Sequence, residues 1–129
     1  MPIVRIDIES GKSAAYKRAI LRGVRSAITG ALGVPDERLM QRLAETPAED
    51  IDAFEVRSDR LTIIEISMLP GRGPELKRSM YDRIVSELST DPGIHAHDIM
   101  VLVNDPVAEC FSLGGVMQCA SPVAEKDES

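Results

Sequence analysis

The chain predicts an α+β fold in two layers, in which two β-α-β units make one four-stranded mixed sheet with two helices on one face. Three observations predict it. An apolar-polar alternation opens each half, an amphipathic helical pattern follows each alternation, and the whole order repeats at a shift of sixty residues. At that shift Ile3 lies over Ile63, Ile6 over Ile66, Gly11 over Gly71, Lys17-Arg18 over Lys77-Arg78, Gly33 over Gly93 and Met40 over Met100, without a gap. Roughly one position in five is identical, and the identities fall on glycines and core positions. The units span 2–44 and 62–104 of a single domain over 1–120, and 121–129 is a solvated tail.

Each element has a local cause. In the first strand Val4, Ile6 and Ile8 alternate with Arg5 and Asp7; in its repeat Ile64, Ile66 and Met68 alternate with Glu65 and Ser67. Pro2 suits the head of a strand, where a missing N–H costs little. Ser13 is placed to cap the first helix, whose apolar stripe is Ile20, Val24, Ala27, Ile28 and Ala31. Pro74 suits the first turn of the second, with stripe Leu76, Met80, Ile84 and Leu88. Gly33 with Pro35 behind it closes the first helix, and "DPG" at Asp91 to Gly93 closes the second. Second strands follow at Leu39 to Leu43 and Ile99 to Val103, parallel to the first in each unit. The acidic stretch from Glu45 to Arg60 connects the units with room for a short hairpin, and 105–120 reads as short strands or loop.

Two helices leave one sheet face bare, although parallel strand pairs are ordinarily covered on both faces. "IMVLV" at Ile99 to Val103 is apolar on both sides. A second layer is therefore needed, and another copy of the chain is its source: a homo-oligomer with sheets packed inward.

Composition narrows the function classes. A net charge of −6 and a pI near 4.9 argue against nucleic-acid binding. No apolar run reaches the ~20 residues of a membrane span, and the start lacks a signal-peptide layout, which together lead to the expectation of a cytoplasmic protein. Cys110 and Cys119 have no CxxC or short His/Cys spacing and read as small buried hydrophobes, not as a disulfide or zinc framework. His95 and His97 have only Asp98 nearby, short of the three or four ligands a metal site needs, so no metal and no cofactor is expected. Lys17, Arg18, Arg22 and Arg25 read as the solvated side of the first helix, and Tyr81 as core packing.

The initial Met-Pro, "RIDI", "GK" with "KRAIL", "ALGVP", "GRGPELKRSMY" and "VNDP…FSLGG…Q" occur in order. Together with the duplication they resemble the tautomerase superfamily, the group of 4-oxalocrotonate tautomerase, and most of all its malonate semialdehyde decarboxylase-like branch. The resemblance runs from Pro2 to about Ala120. It implies the tautomerase fold, a trimer of duplicated units with sites near subunit boundaries, and Pro2 as mature N-terminus and catalytic base or acid on a small carboxylic-acid substrate. Arg72 then binds the carboxylate, Phe111 and Leu113 line the substrate, and Asp36 or Glu37 orients a water. Two departures stand out. Pro70 occupies the place of a further arginine, and Phe111 and Leu113 replace bulkier aromatics.

The residues fit that chemistry. A general base works best with a pKa near ambient pH. An α-amine starts near ~8, and burial beside Ile3, Ile63 or Phe111 with a cation nearby lowers it. Arg72 lies between two glycines ahead of a helix N-terminus, a setting suited to gripping a carboxylate. Thr62, the counterpart of Pro2, has no free amine, so one site per chain is expected, with Lys12, the counterpart of Arg72, only a solvated charge. The expected activity is cofactor-free enol–keto tautomerisation of a small 2-oxo acid. The alternatives are a decarboxylase, hydratase or dehalogenase of a short 3-oxo or unsaturated acid, and a non-catalytic oligomeric binding protein.

Overall fold

The computed structural model describes residues 2–53 and 58–118. Strand β1 (Ile3–Glu9) leads into helix α1 (Ala14–Leu32) and strand β2 (Met40–Thr46); β3 (Thr62–Ser67) leads into α2 (Pro74–Thr90) and β4 (Ile99–Asn104). The sheet order is β2-β1-β3-β4. Pairing is parallel within each unit and antiparallel where β1 meets β3, with Ile3 opposite Ser67 and Ile6 opposite Ile64. The predicted fold class is the observed one. Both second strands run past the expected ends, β2 by three residues and β4 by one.

The duplication goes further than the alternation and helix patterns reveal. Matching 3-10 turns cover Asp36–Arg38 and Ala96–Asp98, and a second matching pair covers Ala48–Asp50 and Ala108–Cys110. Ala48-Glu49 thus repeats as Ala108-Glu109, beyond the units 2–44 and 62–104. A hairpin, β5 (Ser112–Leu113) with β6 (Val116–Met117), follows. The hairpin expected between Glu45 and Arg60 falls partly on 54–57, outside the described residues, as do Cys119 and the tail.

The helices terminate as their sequences require. Ser13 accepts a hydrogen bond from the Tyr16 N–H at 3.1 Å and so caps α1. Gly33 ends it with φ 68°, a left-handed conformation that costs glycine nothing. Alternate side chains of β1 and β3 face the helices, so Val4, Ile6, Ile64 and Ile66 are fully buried against Ile20, Val24, Ile28, Met80, Ile84 and Leu88. The helices approach closely at Gly23, where a Cβ would lie 3.1 Å from Leu88 Cδ2. Leu76 departs from its expected stripe: on the first turn of α2 it is 44% exposed. Tyr81 packs partly buried against the core.

Cys110 is exposed at the end of a 3-10 turn and is not the buried hydrophobe expected. The cations of α1 are not merely solvated either. Lys17 pairs with Glu45 at 3.1 Å, Arg22 with Asp91 at 3.3 Å, and Arg25 donates to the carbonyls of Asp36 and Leu39.

The sheet face away from the helices is open in the single chain, with Met40 57% and Leu102 50% exposed. The opposite face carries the stability. Ile66 sits at its centre, paired with Val4 and fully buried. Ile66→Ala is expected to cost about 2–5 kcal/mol through lost transfer energy and a residual cavity, read from urea unfolding; a loss under ~1 kcal/mol would show that the site collapses around the smaller side chain.

Candidate active site

The antiparallel join of β1 and β3 brings distant residues to one end of the sheet. The start of β1, the start of β2, the end of β3 and the end of β4 all lie there. Pro2 heads β1 and is buried, and its carbonyl accepts the Met40 N–H at 3.2 Å. One step beyond the Ile3–Ser67 pair, the register sets Pro2 opposite Met68. Met68 in turn donates its N–H to the Asn104 carbonyl at 2.9 Å, which fixes the end of β4 beside it.

A cleft of about 40 Å³ opens at this end, lined by Ile3, Ser67, Met68, Leu69, Pro106 and Phe111. The lining is almost wholly apolar, so a charge inside it is poorly solvated. Sequence reasoning singled out Phe111 and missed Met68, Leu69 and Pro106; the strand register that places them was the available signal.

Arg72 follows Met68 by four residues, on the turn between β3 and α2. Gly71 before it has φ 127°, a conformation that strains other residues, which accounts for the glycine shared with position 11. The Arg72 side chain is half-buried and makes no ion pair or hydrogen bond among the described residues. Behind it Gly73 caps α2 without a side-chain acceptor, whereas Ser13 fills the matching place on α1. No side chain among the described residues hydrogen-bonds the N-terminal N–H groups of α2, although Glu75 stands in its first turn.

Two ties hold the rim. Lys77 on the first turns of α2 binds Asp105 at 2.9 Å, and that hydrogen bond, with the ammonium charge, holds the Asp105 carboxyl below the usual carboxylate range. The pair anchors the segment carrying Pro106. Arg25, donating to the Asp36 carbonyl at 2.8 Å, holds the 3-10 turn with Asp36 and Glu37 at the head of β2. Both acids are exposed in the single chain. The structure thus places Pro2, Arg72, Phe111 and the Asp36-Glu37 turn at one sheet end. Leu113 lies outside the cleft lining, on β5, 46% exposed.

Comparisons with known proteins bear on the family and the fold. The family described as "Tautomerase enzyme" matches residues 52–114. A probable tautomerase, YusQ, of Bacillus subtilis (strain 168) is 24% identical over 119 residues, covering 88% of this chain and 94% of that one. The structure of FG41 malonate semialdehyde decarboxylase inhibited by 3-bromopropiolate superposes with a TM-score of 0.79 at 26% identity, covering 98% of this chain and 97% of that chain. A fused 4-OT, a symmetric trimer, gives a TM-score of 0.80 at 20% identity, covering 90% of this chain and 94% of that chain. No helix among the described residues is long and apolar enough to cross a membrane.

Proposed function

We infer that the chain belongs to the tautomerase superfamily, in its malonate semialdehyde decarboxylase-like branch, and from that premise propose that this enzyme interconverts the enol and keto forms of a small 2-oxo carboxylic acid without a cofactor. With Met1 removed, the Pro2 nitrogen is a secondary amine whose ring fixes its direction. The amine takes the enol O–H proton and delivers it to the neighbouring carbon; a proton moves, and nothing is oxidised or lost. Apolar walls disfavour the charged amine and keep its pKa near working pH. Arg72, which has no carboxylate partner among the described residues, grips the substrate acid, with the N-terminus of α2 behind it.

The observation that supports this reading is that the antiparallel register brings Pro2, at the head of β1, and Arg72, which has no partner among the described residues, to the sheet end that holds the apolar cleft. A single chain supplies only about 40 Å³ there, and its bare sheet face exposes Met40 and Leu102. Both features favour a homo-oligomer, a trimer as in the fused 4-OT, in which a second copy completes the site.

A second reading is a lyase action on a short 3-oxo acid. The likeness to FG41 malonate semialdehyde decarboxylase over 98% of this chain favours it, as does the placement of Asp36 and Glu37 at the head of β2, where a carboxylate can orient water. Two assays separate the readings: ketonisation of phenylenolpyruvate, and carbon dioxide release from malonate semialdehyde. Acceleration of the first over buffer is the expected result. Carbon dioxide release with no ketonisation would replace the tautomerase reading by the second.

A further inference from the structure

The pseudo-twofold generates a second cleft at the other end of the sheet, of about 70 Å³. Each residue lining the first cleft has a counterpart sixty positions away in the second: Ile63 for Ile3, Asp7 for Ser67, Ile8 for Met68, Glu9 for Leu69, Thr46 for Pro106 and Ile51 for Phe111. The space has been kept while its chemistry has changed. Two carboxylates stand where the first cleft has a hydroxyl and an aliphatic side chain.

The cation survives but is occupied. Lys12, the counterpart of Arg72, is not the solvated charge expected. Its side chain is 14% exposed, and its Nζ lies 4.0 Å from Glu9 Oε2 and 5.9 Å from the centre of the Tyr16 ring. Asp7 is held by Arg5 through bonds of 3.0 and 3.1 Å. The helix end is occupied too, because Ser13 takes the Tyr16 N–H. Thr62, in place of Pro2, is buried and spends its hydroxyl on the Arg60 carbonyl at 2.8 Å.

We infer that Glu9, with Asp7 beside it, is the specificity-determining residue that closes the second cleft to carboxylic acids, so that each chain admits one acid and admits it only where Pro2 can act. The inference rests on the proposal that the first cleft binds a carboxylate. A twin cleft open to acids would sequester substrate away from any base. Glu9 prevents this by pairing with Lys12, so that the cation is not free to take an incoming acid, while Asp7, held by Arg5, adds no cation of its own.

The test is a pyruvate titration of the full chain followed by isoleucine methyl NMR, comparing wild type with D7S/E9L, which gives the second cleft the residues of the first. Ile3 reports the first cleft, Ile51 and Ile63 the second, and Ile20 and Ile84 the intact core. In wild type, Ile3 is expected to shift while Ile51 and Ile63 stay fixed. In the double variant, Ile51 and Ile63 are expected to shift as well, with affinity at the second cleft raised at least about tenfold by release of Lys12 from Glu9. If the core signals disperse, Glu9→Gln, which keeps the side-chain shape and frees Lys12, replaces it with the same direction expected. Shifts of Ile51 and Ile63 in wild type, or fixed signals in a folded variant, overturn the inference. Silence of Ile3 in wild type overturns the first-cleft reading alone, since the second cleft is read on its own methyls.

Discussion

Pro2→Ala is expected to lower phenylenolpyruvate ketonisation by about 10²–10⁴-fold, the range a positioned general base contributes, while leaving the fold intact. Stability should hold because, among the described residues, Pro2 is hydrogen-bonded through its carbonyl, which accepts the Met40 N–H, and alanine keeps that carbonyl. Alanine also keeps a terminal amine. What it loses is the ring that aims the nitrogen, which is buried at the head of β1. Thermal unfolding beside the rate measurement separates the two effects. A folded variant within tenfold of wild type would remove Pro2 from the chemistry.

Arg72→Ala is the second large effect. Charge-assisted hydrogen bonds contribute about 1.5–3 kcal/mol each, and a bidentate grip makes two, so kcat/KM should fall by about 10²–10⁴-fold. Where the grip is equally strong in ground and transition states, the loss appears mainly in KM. Arg72→Lys should recover only part of it, since an ammonium keeps the charge but not the fork. Stability should not change, because Arg72 has no bonded partner among the described residues to lose. An unchanged kcat/KM would return Arg72 to the surface.

Much of the fold is legible in the sequence. The alternation in β1 and β3, the stripes of α1 and α2, the Ser13 cap and the Gly33 stop are local signals, and local interactions enforce them. The fates of Leu76 and Cys110 were not legible, because both depend on where the neighbouring layer ends. Arg25 was misread as solvated for a related reason. A helix-face pattern does not show that the segment from Asp36 to Leu39 returns to Arg25 to offer two carbonyls.

The candidate site divides in the same way. Pro2 and Arg72 stood out by position and by flanking glycines. Met68, Leu69 and Pro106 line the cleft only through the antiparallel register of β1 on β3, and a long-range pairing of that kind leaves no mark in a short window. The twin cleft was hidden for another reason. Alignment at sixty residues matches Lys12 with Arg72 but does not show that Glu9 reaches across to neutralise it.

The central claim is that the nitrogen of Pro2 is a free amine held uncharged in an apolar setting. Nitrogen-15 labelling of proline tests it directly, because the other seven of the eight prolines in the chain are tertiary amides and cannot titrate. The account predicts one titrating proline nitrogen, with a midpoint at or below the ~8 of an ordinary α-amine, that moves on addition of a small 2-oxo acid. Eight proline nitrogens that stay fixed across the pH range in which the protein is folded would contradict it.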